Sequence, residues 1–401
     1  MAERPRHEVA EIFRRYLEAQ PSGDPSRSWS WEQHRVVDQI LACRTARLGG
    51  HVDECNACGH RQISYNSCRN RHCPKCQGSA QAGWLDARQA EVLPVPYAHV
   101  VFTLPQALAP LALQSPKAVY DLLFHTAAHT LQQIAANPRH LGARLGFFVI
   151  LHTWGQTLVH HPHVHCVVPA GGLAKDGRAW KPCRPGFFLP VRVLSRLFRG
   201  KFVAGLRAAF NDGRLELHGR LTRYWHPRAF EQLLREACRT EWVVYAKPPF
   251  DGPVPVLKYL ARYTHRIAIS NHRLLHVDDA RVTFRFKDYR GRRPRSLSLP
   301  IAEFVRRFLL HVLPKGFVRI RYYGFLANGT RARLLACCRE ALAQDAASSE
   351  KRPDPLGDGE EFLALLPERL RLCPHCKHGV LRCVQILERP PPGRRRPRRA
   401  A

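Results

Sequence analysis

Apolar and polar positions along the chain follow two different periods. Residues 118–137 carry apolar side chains at every third or fourth position, which is typical of an amphipathic helix. Residues 100–104, 146–151 and 163–168 are short apolar runs rich in β-branched and aromatic side chains, and each has the length of a strand. Residues 281–286 alternate regularly and predict a half-buried strand.

Further segments extend this pattern. Residues 242–246 predict another strand, and residues 256–264 and 301–312 predict helices. Because strands and helices mix without regular βαβ spacing, we expect an α+β fold with a central antiparallel sheet flanked by helices.

Changes in composition divide the chain into four predicted regions. We expect a helical N-terminal segment at 1–50, a zinc-binding module at 51–92, the mixed sheet domain at 93–335 and a C-terminal region at 336–401. The last region ends in a Pro- and Arg-rich stretch that cannot bury a core, and it is expected to be disordered.

The chain is strongly basic. Lys and Arg number 63 against 32 for Asp and Glu, which gives a formal net charge of +31. Such an excess favours a polyanionic partner, and nucleic acid is the expected one. We expect no small-molecule substrate.

Two stretches without Asp, Glu, Lys or Arg, residues 93–116 and 145–174, are long enough to cross a membrane. Five prolines interrupt the first stretch and five histidines make the second too polar, so no membrane span is expected. The first residues lack the apolar core of a signal peptide. We therefore expect a cytoplasmic protein whose 14 cysteines are reduced or metal-bound.

Five cysteines fall within residues 51–76. They include two C-x2-C knuckles separated by 14 residues, which is close to the spacing of a zinc ribbon. We expect one structural Zn²⁺ ion to be held by Cys55, Cys58, Cys73 and Cys76. Cys68 and His72 are alternative ligands, with His72 the first substitute. The basic residues expected to contact DNA around this module are Arg69, Arg71 and Lys75.

A third C-x2-C knuckle, formed by Cys373 and Cys376, lies near the C-terminus. His378 and Cys383 follow it, and the Cys337–Cys338 pair is another candidate to complete a site. Because its spacing is irregular, this knuckle predicts a second metal site less strongly than the first two.

His163 and His165 alternate with Val164 in a strand-like run. Side chains two apart on a strand share a face, so both imidazoles can reach one metal ion while Val164 packs into the core. We expect Gln156 to supply an amide oxygen as the third ligand. The alternatives are His160 and His161. Two imidazoles and one oxygen suit Mg²⁺ or Mn²⁺ acting as a Lewis acid.

Tyr259 and Tyr263 lie four residues apart in a predicted helix, so they share a face roughly 6 Å apart along its axis. Either hydroxyl could be presented to a phosphate bound at the metal. Arg262 and Arg266 are expected to hold the phosphate backbone. Core packing would also explain two such tyrosines, but here they occur with a His-x-His strand, zinc knuckles and a basic chain.

Together these motifs resemble the transposases of bacterial insertion-sequence family 91, two-tyrosine HUH endonucleases related to eukaryotic Helitrons. The resemblance covers most of the chain and lies in SCRNRHCPKC, HVVFTLP, HTWGQTLVHHPHVHCVVPAGGL and VLKYLARYTHRIAISNHRL. It implies an HUH catalytic domain at 93–335. In such a domain His163 and His165 stand on a central strand, and Tyr259 and Tyr263 are the nucleophiles on a neighbouring helix.

The resemblance also implies rolling-circle DNA transposition. A tyrosine oxygen would attack single-stranded DNA at transposon ends and target, leaving a 5′-phosphotyrosine link and a 3′-hydroxyl. Because the chain contains no G-x4-G-K-[ST] phosphate loop, a host helicase is the expected source of single strands. Such a protein would act in the bacterial cytoplasm, at the nucleoid.

Two other functions use parts of this set. A plasmid replication initiator or a relaxase would use the same His-x-His and tyrosine chemistry, although the N-terminal zinc module favours a transposase. A non-catalytic, zinc-dependent DNA-binding protein would bury the histidines and tyrosines as core residues. Covalent capture of single-stranded DNA distinguishes both enzymes from the binding protein.

Overall fold

The computed structural model describes residues 5–19, 28–78, 83, 84, 88, 91–250, 267–288, 293–348 and 372–390. The chain divides into two compact units. The ribbon unit comprises residues 8–77 and 351–401, and the sheet unit comprises residues 1–7 and 78–350. This division differs from the boundaries expected from composition, because the C-terminal segment pairs with an N-terminal strand.

The described residues mix helices and strands, as predicted. The α-helices are α1 (Val9–Glu18), α2 (Trp31–Ala42), α3 (Ala109–Gln114), α4 (Pro116–Ala136), α5 (Val191–Asn211), α6 (Pro227–Ala237), α7 (Ile301–Leu309) and α8 (Arg331–Ser348). The strands are β1 (Gly50–Cys55), β2 (Arg61–Tyr65), β3 (Tyr97–Thr103), β4 (Gly146–Trp154), β5 (His160–Pro169), β6 (Gly171–Leu173), β7 (Trp180–Pro182), β8 (Val244–Phe250), β9 (Leu274–Val277), β10 (Arg281–Lys287), β11 (Pro294–Pro300), β12 (Ile320–Gly324) and β13 (Leu381–Leu387).

The ribbon unit contains α1, α2 and a three-stranded sheet of order β13-β1-β2. Ser30 starts α2 with a capping box, in which its hydroxyl accepts from the Gln33 N–H and the Gln33 side chain accepts from the Ser30 N–H. Both neighbours of β1 run antiparallel to it. The middle strand is thus paired on one side with the next strand in sequence and on the other with the last one described.

The sheet unit is built on five strands in the order β12-β4-β5-β3-β8. Every neighbouring pair in this sheet is antiparallel. The expected antiparallel central sheet is therefore confirmed, and β5, which carries the His-x-His motif, is its central strand. A second sheet has the order β11-β10-β9. Helix α7 packs against this second sheet, where the ring centroids of Phe304 and Phe284 lie 5.9 Å apart.

The two faces of β5 have different surroundings. Val164, Cys166 and Val168 belong to the main apolar core, together with Phe124 of α4 and Phe202 of α5. Since side chains alternate along a strand, the residues between them face the opposite side of the sheet. Helices α4 and α5 thus cover one face of the central strand, and His163 and His165 stand on the other.

The predicted strands at 100–104, 146–151 and 163–168 are confirmed as β3, β4 and β5, and the predicted helix at 118–137 is confirmed as α4. The helix expected at 301–312 ends at Leu309 in α7, and the helix expected at 256–264 lies outside the described residues. None of the helices in the described ranges combines the length and apolarity that crossing a bilayer requires.

Gly324 ends β12 with a φ of +65°, and a Cβ there would overlap the carbonyl oxygen of Leu145. We expect Gly324→Ala to destabilise the sheet unit by on the order of 3 kcal/mol, because the substitution adds a backbone clash to left-handed strain. Its thermal midpoint, followed by circular dichroism, should fall by on the order of 10 °C. Gly213 has the same φ with nothing within 4 Å, so Gly213→Ala should cost only about 1 kcal/mol. Equal falls in the thermal midpoint for Gly324→Ala and Gly213→Ala would contradict the predicted clash with the Leu145 carbonyl.

Candidate metal centres

Three histidines meet on the face of the central strands that lies opposite α4 and α5. His163 on β5 is paired directly with His152 on β4, and His165 is paired with Ile150. Directly paired residues of an antiparallel ladder share a face, as do residues two apart on one strand. The register therefore places His152, His163 and His165 on the same side of the sheet.

The rings of this histidine cluster approach closely. One ring nitrogen from each of His152, His163 and His165 lies within 4.8 Å of the others. The ring centroid of His152 lies 4.3 Å from that of His165, and the centroids of His163 and His165 are 4.9 Å apart. Three imidazole nitrogens at this separation can bind a single metal ion.

Hydrogen bonds orient two of the rings. The Nδ1–H of His163 donates to the carbonyl oxygen of His161 at 2.7 Å, so its Nε2 carries the lone pair that can bind a metal. His165 Nδ1 lies 2.8 Å from Nε2 of His99, a buried histidine of β3. Metal-binding histidines commonly fix their tautomer through such a bond from the second ring nitrogen.

Burial keeps the imidazoles of His163 and His165 neutral at pH 7. It lowers the pKa of His163 to about 4, and burial with the neighbouring His152, His163 and His99 lowers the pKa of His165 well below its ordinary value. A metal binds the neutral imidazole, and a group that is already neutral at pH 7 releases no proton when it binds. His163 and His165 can therefore bind a cation without first losing a proton.

The amide oxygen of Gln156, which was expected to be the third ligand, accepts a hydrogen bond from another part of the sheet unit. Gln156 lies in the turn between β4 and β5, where its amide oxygen accepts from the Lys287 N–H at 3.4 Å and its carbonyl accepts from Arg273 at 2.5 Å. His160 instead contacts the Tyr120 hydroxyl through Nε2 at 2.9 Å. His152 takes the third position, because the hairpin register pairs it with His163.

Tyr259, Tyr263, Arg262 and Arg266 all lie outside the described residues. Their predicted roles therefore remain predictions.

The cysteines form two clusters instead of one. The helix-end cluster joins the residue that follows α2 to the loop after β2, and its thiols are those of Cys43, Cys68, Cys73 and Cys76. Cys43 Sγ lies 3.5 Å from Cys76 Sγ, and Cys68 Sγ lies 3.6 Å from it. Hydrogen bonds from the Cys68 and Cys73 thiols lower the pKa of Cys43 to about 7.

The ribbon cluster joins β1 to the C-terminal segment. Its thiols are those of Cys55, Cys58, Cys373 and Cys376. Backbone N–H groups of His378 and Gly379 lower the pKa of Cys376 to about 6. The thiolate is the form of cysteine that binds a metal, and the two N–H donors stabilise it at Cys376.

These clusters correct the expected zinc set. Cys55 and Cys58 belong to one cluster and Cys73 and Cys76 to the other, so the two N-terminal knuckles do not share an ion. The buried His72 lies outside both, with Nδ1 3.0 Å from the Asn70 side-chain oxygen. Sequence reasoning missed Cys43, which has no neighbouring cysteine in the chain to reveal it.

The basic residues expected around the first knuckles have different surroundings. Arg69 and Arg71 are exposed, and Arg69 adopts a left-handed φ of 52°. Lys75 forms an ion pair with Glu8 at 2.6 Å and donates to the Cys43 carbonyl at 3.4 Å. Lys75 therefore holds α1 and the end of α2 near the helix-end cluster, in addition to any contact with DNA.

Two family descriptions match separate parts of the chain. Residues 146–333 match the family described as "Putative transposase", and this range contains the histidine cluster. Residues 10–104 match the family described as "Transposase zinc-binding domain". That second range contains the helix-end cluster and half of the ribbon cluster.

Two curated proteins are similar over most of the chain. "Putative transposase y4qJ" of Sinorhizobium fredii is 52% identical over 95% of this chain and 96% of its own length. The transposase for insertion sequence element IS801 of Pseudomonas savastanoi pv. phaseolicola is 30% identical, over 84% of this chain and 81% of its own.

Among solved structures, a metal-bound conjugative relaxase TrwC with oriT DNA is 16% identical at a TM-score of 0.25, covering 45% of this chain and 66% of that one. A copper-bound TrwC complex is 14% identical at a TM-score of 0.25, covering 77% and 95%.

Proposed function

Since the chain belongs to the transposases of insertion-sequence family 91, we propose that it transposes DNA by cutting and rejoining single strands through a tyrosine nucleophile. The observation that carries this proposal is the histidine cluster on the central strands β4 and β5. A DNA-binding protein without an active site has no need for three clustered imidazoles on one face of a sheet. The cluster therefore favours an enzyme over a binding protein.

The residues of the cluster fit a catalytic divalent metal. His152, His163 and His165 would hold it, and His99 would position His165 from behind. When bound, such an ion withdraws charge from a phosphate oxygen as a Lewis acid. Three imidazoles replace the two imidazoles and one oxygen expected from the sequence, which shifts the preference away from Mg²⁺ and toward Mn²⁺ or a softer ion.

Tyr259 and Tyr263 are the proposed nucleophiles. The oxygen of one tyrosine attacks phosphorus, a new P–O bond forms to the tyrosine, and the bond to the 3′-oxygen breaks. The tyrosine hydroxyl loses its proton as it attacks, and the departing 3′-oxygen takes up a proton to become a hydroxyl. Because one phosphodiester replaces another, the step needs no ATP and can run backward to rejoin strands.

Two tyrosines serve a rolling-circle reaction. One can hold the first cut end as a 5′-phosphotyrosine while the other cuts again at the second end. Arg262 and Arg266 are proposed to hold the phosphate backbone between them. A host helicase is the proposed source of single-stranded transposon ends and target.

The test is covalent capture of DNA by the full chain. Single-stranded oligonucleotides carrying transposon ends are incubated with the protein and with Mg²⁺ or Mn²⁺, and denaturing gels report protein–DNA adducts. We expect adducts with both ions, at a lower concentration of Mn²⁺ than of Mg²⁺, because imidazole is a poor ligand for Mg²⁺. Double-stranded oligonucleotides of the same sequence are the control and should yield little adduct.

The absence of an adduct with every ion would contradict the proposed enzyme and favour a zinc-dependent DNA-binding protein. Equal adduct yields from single and double strands would contradict the single-strand specificity alone. Chelation should abolish adducts, and adding back Mn²⁺ after zinc has been restored should recover them.

A further inference from the structure

We propose that the ribbon cluster is a second structural zinc site, separate from the helix-end cluster, and that it fastens the C-terminal segment to the N-terminal strands. Two of its four thiols, those of Cys373 and Cys376, lie far outside the zinc-binding match at residues 10–104. The helix-end cluster has four thiols of its own. The chain therefore has ligands for two tetrahedral zinc ions.

The sulfur separations suit zinc. Cys55 Sγ lies 3.6 Å from Cys376 Sγ, and Cys58 Sγ lies 3.7 Å from Cys373 Sγ. In a tetrahedral site with Zn–S bonds of about 2.3 Å, neighbouring sulfurs stand about 3.8 Å apart. A disulfide would bring them to about 2.0 Å. The geometry therefore matches four thiolates around one ion and excludes two disulfides.

The two knuckles of the ribbon cluster have the same backbone turn. The Cys55 carbonyl accepts from the Gly59 N–H at 3.1 Å, and the Cys373 carbonyl accepts from the Lys377 N–H at 2.9 Å. The residue after the second cysteine is left-handed in both, with φ of 69° at Gly59 and 64° at Lys377. Each turn presents two sulfurs on one side, and the two turns face each other.

Further hydrogen bonds connect the two knuckles of the ribbon cluster. The Asn56 N–H donates to the Val380 carbonyl at 3.1 Å, and the Val380 N–H donates to the Asn56 side-chain oxygen at 2.8 Å. The Gly379 N–H donates to Cys376 Sγ at 3.3 Å. A Cβ on Gly379 would overlap Cys55 Sγ, so glycine at this position allows the sulfurs to meet.

The other candidate ligands lie elsewhere. Cys383 is exposed on β13, and its thiol lies 3.8 Å from the Gln385 carbonyl. Cys338 is buried in an apolar cluster of the sheet unit. His378 Nδ1 donates back to the Cys376 carbonyl at 2.8 Å. The ribbon cluster is complete without any of them.

Strand pairing alone provides little apolar burial to hold the C-terminal segment. β13 pairs with β1 through a ladder that shifts register between Val52 and Asp53, and most of its side chains are exposed. Ile386 is 78% exposed and Val384 is 51% exposed. Because β13 buries so little apolar surface, zinc is the main attachment of this segment.

Zinc content is the first measurement. The full chain carrying His163→Ala and His165→Ala, in which the histidine cluster cannot hold an ion, should contain two zinc ions by native mass spectrometry, and adding Cys373→Ser with Cys376→Ser should leave one. Cys43→Ser with Cys73→Ser should also leave one, because the helix-end cluster then loses its ion. Cys337→Ser with Cys383→Ser is the matched control and should retain both ions. A single zinc in this chain before any cysteine is replaced would overturn the proposal.

The second measurement tests whether zinc holds the C-terminal segment to the N-terminal strands. A protease site is introduced between residues 351 and 371, and the full chain is cleaved after purification with zinc bound. The C-terminal piece should co-elute with the rest on gel filtration and separate after chelation. In the Cys373→Ser, Cys376→Ser variant it should separate without chelation.

A piece that stays attached after chelation, or that leaves with zinc present, would overturn the proposal. Gly379→Ala should give the same early release as the double serine variant, since it crowds the sulfurs without removing a thiol. Neither readout depends on DNA cleavage, so failure of the proposed catalytic function would leave both measurements informative.

Discussion

Replacing Tyr259 and Tyr263 together by Phe should abolish the covalent adduct with single-stranded DNA. Phe differs from Tyr only by the hydroxyl oxygen that would form the bond to phosphorus, and no other group can then carry the 5′-phosphate. Each single replacement should retain some adduct, because the remaining tyrosine can still attack one strand. Denaturing gels with 3′-end-labelled oligonucleotides measure the yield, because the fragment joined to the tyrosine through its 5′-phosphate keeps that end.

The matched control for this pair is Tyr245→Phe, which removes an exposed hydroxyl from β8. It should form adducts at the unaltered rate. If the double variant still captured DNA, the nucleophile would be another residue and the proposed mechanism would be wrong. A single variant that lost all adduct would identify the tyrosine that must act first.

Replacing any one histidine of the cluster by Ala should slow adduct formation by about 100-fold or more, because the charge on the reacting phosphate is then poorly compensated. His152→Ala is the decisive variant, since the sequence pointed to Gln156 in its place. Its effect should match that of His163→Ala, and Gln156→Ala should have a smaller one. A higher concentration of Mn²⁺ should restore part of the lost rate, which a folding defect would not allow.

His99→Ala tests whether His99 positions the proposed metal ligand His165. It should lower metal affinity by about 10- to 100-fold, because His165 would lose the partner of its second ring nitrogen. His161→Ala is the matched control, since it keeps the backbone carbonyl that accepts from His163. The three-histidine site would be wrong if His152→Ala left metal affinity as high as His161→Ala does while Gln156→Ala lowered it.

Much of the fold was predictable because its elements have strong local periods. The apolar runs that became β3, β4 and β5 are buried strands, and α4 has an unbroken helical stripe. His163 and His165 were found by the same means, since a period of two places them on one face. His152 could not be found by pairing residues across the turn that follows β4, because the register shifts between His152 and Trp154.

The cysteine pairing was not predictable in this way. C-x2-C spacing identifies a knuckle, but which two knuckles share an ion depends on which strands pair. β1 pairs with β13, and no local signal connects residues so far apart. Cys43 was missed for a similar reason, since it is a single cysteine at the end of α2 and only the folded loop brings it to Cys76.

The partnership of β1 with β13 also sets an order of events during synthesis. Cys376 is made 321 residues after Cys55, which at 5–20 residues per second is a wait of roughly 15–65 s on the ribosome. During that time the first knuckle has no completing partner while the whole sheet unit emerges. A message cut short before codon 373 would therefore yield a chain that keeps all three residues of the histidine cluster and lacks the two C-terminal thiols of the ribbon cluster. Such a product could compete with the full-length protein for a shared metal pool without finishing its own fold.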